Sequence, residues 1–355
     1  MKHISVITLI FCFHTYAQEK YIAPGYEEAA TTASQFLDSI KTSQNIPAIS
    51  VAVGVNGEII WQEAMGFANV DQQEKAELST TFRVGSIAKP MTAIGLAILV
   101  DQEKLSWDDK VSTYVSEYAD KKFEMSIRQV AGHTAGIRHY KGAEFVSKKQ
   151  YNSVEESLDI FKDDKLKFEP GTEYNYSTYG YVLLSRIMEV VSGTNYLDFM
   201  DEYLFKPSGM SLTVPEHAGR EERGKSGFYN KKGDKEVMAV NLSNKWAGGG
   251  FLSTPTDLVK MIHNLNNLIS EETWNQLITP QTLTHGESTG YGMGFNSQTL
   301  TSLDRVLIHH GGRSMGARAY LMYLPQEDVV VAICANTSAD YGAQEAYDVA
   351  KFFLK

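Results

Sequence analysis

The chain has 355 residues, 43% of them hydrophobic and 21% charged, and carries a formal net charge of −10 at pH 7. An acidic balance of this kind disfavours nucleic acid and anionic membrane surfaces as partners. The hydrophobic content, with no long polar tract, points to a compact body without a disordered arm, as two domains or one large α/β unit with an insertion.

The first residues, MKHISVITLIFCFHTYAQ, hold one lysine, an apolar run over 4–13 and a small residue, Ala17, before Gln18. This pattern reads as a cleavable signal peptide, too short to span a membrane, with cleavage expected after Ala17. A lipoprotein anchor would use Cys12, but bulky Phe11 precedes it; a mitochondrial presequence would carry several arginines, and this segment has none. Cleavage would leave Cys334 without an intrachain disulfide partner. The expectation is an exported protein, periplasmic or secreted, with no membrane span in the mature chain.

Residues 28–40 place Ala29, Ala33, Phe36, Leu37 and Ile40 on one stripe, which predicts an amphipathic helix. Residues 49–55 and 58–65 flank Asn56-Gly57, a strong short hairpin signal. The stretch 82–100, FRVGSIAKPMTAIGLAILV, begins extended, passes Gly85 and enters the longest apolar helix pattern of the chain at Ser86. Ser86 and Lys89 then share one face of the first turn. A serine at the positive end of a helix dipole, beside a lysine that loses its proton in a dry pocket, is an arrangement for nucleophilic catalysis. Pro90 fits the first turn but is expected to push Lys89 away from helical angles.

Beyond Leu105 the strand signal fades, and 107–204 reads as mostly helix and loop, including a helix over 180–191 stopped by Gly193. Strands return at 318–323 and 329–335, followed by a terminal helix over 343–353. Strands at both ends around a helical middle imply an α/β (α+β) fold: an antiparallel sheet flanked by helices, with an inserted helical domain. The corresponding division is 18–105 with 285–355 as one discontinuous α/β domain, and 106–284 as the insert.

Three further stretches could carry chemistry. In 169–181, EPGTEYNYSTYGY, a Pro-Gly turn and an aromatic cluster precede a helix, and Tyr176 could exchange a proton. In 309–316, HHGGRSMG, glycines before the strand at Arg318 let backbone approach a ligand or simply turn the chain. In 132–140, GHTAGIRHY, two histidines six apart fit no common metal spacing, so a structural role is favoured. Asp257, Glu271 and Glu272 read as helix caps and solvated faces, and WAGGGF at 246–251 as a tight backbone passage before a helix capped near Thr254 and Thr256.

The segments GSIAKP, GHTAGI, EPGTEYNYSTYGYVLL, WAGGGFLSTPTDLVK, YGMGF and HGGRSMGARAYLMYLP occur in the order and approximate spacing of a known family. From about residue 46 to 335 the chain resembles the class C β-lactamase and penicillin-binding-protein-like serine hydrolases. GIRHY, YSTYGY, KWAGGGFLST and YGMG most resemble the mitochondrial serine β-lactamase-like branch. The resemblance implies that Ser86 is the acylated nucleophile, Lys89 its basic partner and Tyr176 the tyrosine that exchanges protons with serine and leaving group. It implies that His310 opens the third motif on the cleft-lining strand, beside Gly311 and Gly312, and that the backbone N–H groups of Ser86 and Arg313 form the oxyanion hole. No cofactor or metal is implied; the partner would be a small peptide, ester or β-lactam-like substrate.

Two positions depart from the family pattern. Thr178 stands where relatives often have asparagine, and Gly311 where they tend to have threonine or serine. Both departures remove groups associated with holding the substrate's amide and carboxylate, and a lost hydrogen bond to a charged carboxylate costs about 1.5–3 kcal/mol. The expected activity is therefore a peptidase or esterase acting through Ser86. The alternatives are a β-lactamase, and a relative that acylates without turnover or self-assembles.

Overall fold

A computed structural model describes residues 20–118, 121–220, 222, 224–300 and 305–354. The expected signal peptide lies outside the described residues. Asn56 and Gly57 both take positive φ, 51° and 80°, as a two-residue type I′ turn requires, and join Ala48–Val55 to Glu58–Asn69. This hairpin seeds an antiparallel sheet whose strand order is Lys20–Ile22, Glu58–Asn69, Ala48–Val55, Val329–Ala335, Ala317–Leu324, Arg305–Ser314, Asn296–Leu300. Glu74–Lys75 pairs with the far end of Glu58–Asn69.

Every residue of Ala48–Val55 and Val329–Ala335 is buried, so these central strands are covered on both faces. On one face lie the amphipathic helix Glu27–Ser43 and the terminal helix Ala343–Phe353, with Leu37, Trp61, Val349 and Phe353 in a common core. On the other face Pro255–His263 packs against Ala48–Val55 and Val329–Ala335. That helix falls within residues 106–284, the stretch read as the insert, yet it rests on the sheet. Its core is continuous with that of the helical region.

Helix Ala88–Asp101 is buried from Ala88 to Leu99, all the way round, as a core helix should be. Lys89 is helical, contrary to the expectation from Pro90. The proline occupies the third helical position, where its missing N–H is needed by no intrahelical bond. The irregularity falls one step earlier, in the 3₁₀ turn Gly85–Ile87. Helix Thr178–Ser192 starts at Ser177, whose hydroxyl accepts the Gly180 N–H, and ends at Gly193 with φ 71°.

The stretch 309–316 is not a loop that enters a strand. His309–Ser314 already belongs to strand Arg305–Ser314, which returns directly as Ala317–Leu324. Its neighbour Asn296–Leu300, NSQTL, is an edge strand of half-exposed polar residues that no apolar pattern announces. A small second sheet pairs Phe82–Arg83 with Phe251–Ser253 and the latter with Val214–Pro215. Buried Arg83 forks onto Glu216 over 2.6 and 2.8 Å and donates to the Met315 carbonyl. The approach to Ser86 is thus tied to the turn that closes the 305–324 hairpin.

Candidate active site

The turn carrying Ser86 is pressed against the sheet by two glycines. Gly85 has φ +50°, and a Cβ there would meet the Arg313 backbone at 2.7 Å. A Cβ on Gly312 would lie 1.9 Å from the Val84 carbonyl oxygen. Only glycine at both positions allows this approach, which sets the backbone of Gly85 and Ser86 beside that of Gly312 and Arg313. The expected oxyanion pair, Ser86 and Arg313, is therefore brought to one place.

Ser86 is partly exposed, whereas Lys89 behind it is completely buried. Lys89 Nζ lies 3.1 Å from Ser86 Oγ, 3.2 Å from Thr178 Oγ1 and 2.7 Å from the Gly248 carbonyl oxygen. Burial, and secondarily the charge of Lys245, hold its pKa well below 10.5. A neutral amine has two N–H bonds and one lone pair. In that form Gly248 O and Thr178 Oγ1 would take the two protons and leave the lone pair for the Ser86 hydroxyl, whereas the charged form donates to all three.

Tyr176 completes the group. Its hydroxyl interacts with Ser86, its ring centroid is 4.8 Å from Lys89 Nζ, and burial pushes its pKa up, with the Ser86 contact opposing. His310 is buried behind Tyr176, with ring centroids 6.2 Å apart. Its Nδ1–H donates to its neighbour's carbonyl, Gly311 O, at 2.7 Å, and Nε2 accepts from the Tyr291 hydroxyl at 3.1 Å. Both ring nitrogens are thereby occupied, and burial, then Lys89, lower its pKa to about 3. Gly311 is half-exposed and lines the cleft, while the Arg313 side chain is exposed and paired with Asp340. Thr178, at the position where relatives often have asparagine, lines the site but is 2% exposed and accepts from Lys89.

Two cavities meet at Ser86. One, of about 220 Å³, is lined by His139, Tyr140, Phe145, Tyr176, Thr178 and Lys245 among others. The second, of about 430 Å³, is lined by Gly311, Gly312, Arg313, Arg318 and Tyr320 among others. A larger hollow of about 690 Å³ between Arg128 and Thr282 contains none of these residues.

Sequence reasoning missed Lys245, the Gly248 carbonyl, Tyr140 and the cleft-facing position of His139. Lys245 is 3% exposed, donates to the Phe145 carbonyl at 2.6 Å and lies over the Tyr140 and Phe145 rings. Burial, with Arg83 second, brings its pKa down to about 7. A lysine directly before the small, apolar run WAGGGF was the signal available. Asp257 is not solvated: it is 1% exposed and accepts from the Leu212 N–H and the Thr213 hydroxyl, fixing the helix start that Thr254 caps. Thr256 instead donates to Gln62.

The chain that builds this site has relatives among known proteins. A family described as beta-lactamase matches residues 29–352. The chain belongs to the β-lactamase family. It is similar to the mitochondrial serine beta-lactamase-like protein LACTB of Homo sapiens, 29% identical over 85% of this chain and 73% of that protein. The Mus musculus protein of the same name is 28% identical, over 86% of this chain and 74% of its own. A class C β-lactamase structure superposes with TM-score 0.78 at 20% identity, over 94% of this chain and 98% of that one. The octameric penicillin-binding protein homologue from Pyrococcus abyssi gives TM-score 0.77 at 23% identity, over 91% and 77%. At these identities the two structures establish the fold alone.

Proposed function

We propose that this β-lactamase-family chain is an exported serine hydrolase that forms an acyl-enzyme on Ser86 from a peptide or ester and releases it with water. The observation that carries the reading is the contact between Ser86 Oγ and the buried Lys89 Nζ, 3.1 Å apart. Environment drives the two titratable neighbours of Ser86 in opposite directions: Lys89 towards the neutral amine, Tyr176 towards the neutral phenol. Such a split supports lysine as the base and tyrosine as the proton donor.

In the acylation step Ser86 Oγ bonds to the substrate carbonyl carbon while its proton passes to Lys89 Nζ. The carbonyl oxygen becomes an oxyanion facing the Ser86 and Arg313 N–H groups. As the C–N or C–O bond breaks, the leaving group takes the Tyr176 hydroxyl proton, and Lys89 returns its proton to the tyrosine. Water then attacks the acyl carbon, losing its proton to the same pair, and Ser86 leaves protonated.

Pre-steady-state kinetics with a chromogenic ester and a chromogenic cephalosporin test this. A burst with sustained ester turnover and an acyl adduct on Ser86 supports the hydrolase. A burst without turnover marks a protein that only acylates, silence removes catalysis, and faster cephalosporin cleavage makes it a β-lactamase. Export is supported by the residues preceding Gln18 and is tested by fractionation with N-terminal sequencing of the processed chain.

A further inference from the structure

His139 and His133 cap the same helix start in the same way, but their second nitrogens face different surroundings. His139 Nδ1 accepts the Thr178 N–H at 3.1 Å, and His133 Nδ1 accepts the preceding Ser177 N–H at 3.2 Å. Thr178 opens helix Thr178–Ser192, so its N–H has no intrahelical acceptor and the imidazole supplies one. An Nδ1 that accepts carries no proton, so each neutral ring bears its hydrogen on Nε2. The Nε2 of His133 is sealed among the rings of Tyr176, Tyr181 and Tyr291 without a partner. His139 differs. Its Nε2 has no hydrogen-bond partner among the described residues, is not sealed, and its ring lines the 220 Å³ cavity beside Ser86 and Tyr176.

The cavity lining contains no carboxylate. Glu144, whose charge acts on His139, is taken up by Arg138 over 2.7 and 3.0 Å and by the Tyr179 hydroxyl. Thr178 lines the same cavity, but it is 2% exposed and its hydroxyl oxygen is already taken by Lys89. The ring that lines this cavity beside the helix start thus carries an unsealed N–H donor of fixed tautomer, and a donor in a small, partly apolar pocket selects an acceptor.

We infer that His139 is a specificity-determining residue whose Nε2–H donates to an amide carbonyl oxygen in the acyl part of the substrate, so that the preferred substrates are acylamino (peptide-like) rather than simple alkyl acyl compounds. The inference rests on the Ser86 hydrolase reading. Backbone N–H groups of the helix start hold the ring, and the ring holds the acyl chain across the cavity with its reacting carbonyl at Ser86. The asparagine expected at Thr178 is replaced by a side chain from another segment.

The test uses two p-nitrophenyl esters of equal chain length, N-acetylglycyl and pentanoyl, each rate divided by that ester's hydroxide rate. The readout is the ratio of kcat/KM values. Two variants separate the two nitrogens: His139→Asn keeps an oxygen where Nδ1 accepts from Thr178 but loses the donor, while His139→Gln keeps an N–H near Nε2 and loses the cap. The expected result is a wild-type preference for the acetylglycyl ester that falls about two- to tenfold in His139→Asn and persists in His139→Gln. A wild-type ratio near one, or an equal loss on both esters in His139→Asn, overturns the inference while leaving the hydrolase intact. An unchanged ratio in His139→Asn overturns it too; if that variant fails to fold, His139→Leu, which loses donor and cap together, must lose the preference that His139→Gln keeps, and a ratio equal in both overturns the inference. Absence of turnover and of any Ser86 adduct with either ester overturns the hydrolase reading and this inference with it.

Discussion

Lys89 Nζ donates to the carbonyl oxygen of Gly248 over 2.7 Å. A backbone carbonyl stabilises a proton on nitrogen without bringing the negative charge that would keep the lysine cationic. No carboxylate forms a salt bridge with Lys89 among the described residues, and its partners are a serine, a threonine and this carbonyl. Three hydrogen-bond contacts thus position the lysine without a carboxylate that would keep it charged.

Ser86→Ala removes the one oxygen that this arrangement activates. Labelling by a fluorophosphonate is expected to vanish, and ester turnover to fall at least about a thousandfold. Intact-mass spectrometry showing a full adduct on the alanine variant would remove Ser86 from the nucleophile's role.

Lys89→Arg keeps a charge that cannot be surrendered at neutral pH, so it should be nearly as inactive as Lys89→Ala. In the wild type, kcat/KM is expected to rise with pH as Lys89 loses its proton, at a pH well below 10.5. Stability follows the same group. Its folded pKa lies below its unfolded one, so the unfolded chain binds more protons between the two values and stability rises with pH across that window. Urea unfolding of wild type and Lys89→Met from pH 7 to 10 should show the wild type gaining on the variant. A constant difference would mean that Lys89 is charged in the folded state.

Lys245 contributes to Lys89's lowered pKa by charge repulsion, after burial. Lys245→Met should therefore move the acidic limb of the kcat/KM profile to higher pH, below the range near 7 where Lys245 itself loses charge. An unmoved limb would show that burial alone sets the base.

What was legible in the chain was local. Asn56-Gly57 with its two flanking strands, the Gly193 stop and the terminal helix are each decided by neighbours in sequence, and the structure has them where the pattern puts them. Ser86 and Lys89 belong to this class, since three residues of helix bring them together. Lys245, Gly248 and His139 do not: Gly248 reaches Lys89 across 159 residues and His139 reaches Thr178 across 39. No periodicity encodes such meetings. Strand Arg305–Ser314 was reached only through the resemblance, which put His310 on a strand; the residues alone left a turn or a close backbone approach at its two adjacent glycines. Gly312 is there to admit the Val84 carbonyl, a contact that only the folded chain contains.

Gly312→Ala tests that contact. Its Cβ would lie 1.9 Å from the Val84 oxygen, so either the strand or the Ser86 turn must move. The expected cost is about 1–3 kcal/mol of stability. Fluorophosphonate labelling should slow by at least about tenfold, since small displacements of a nucleophile are expensive. Unchanged labelling would show that the turn is held by Arg83 and Glu216 rather than by this approach.

Gly311 gives the opposite case, one residue earlier. It does not have positive φ, and an added Cβ would meet only the Tyr320 ring, at the ordinary contact distance of 3.5 Å. Threonine is therefore accommodated, and the side chain would enter the cavity beside Ser86 that also contains Arg313 and Arg318. A hydroxyl there adds a donor for a substrate carboxylate and does nothing for a neutral ester. The gain for Gly311→Thr should be about 0.5–1.5 kcal/mol for a net hydrogen bond, rising towards about 3 if the bond is charge-assisted. That corresponds to a rise in kcat/KM of about two- to a hundredfold for penicillin-like or free-carboxylate peptide substrates. Measuring kcat/KM for one carboxylate and one neutral substrate, in both proteins, decides the matter. A selective rise identifies the missing hydroxyl as what limits carboxylate recognition. An equal loss on both would mean that the β-branch distorts the strand, and no change that Arg313 or Arg318 already binds the anion.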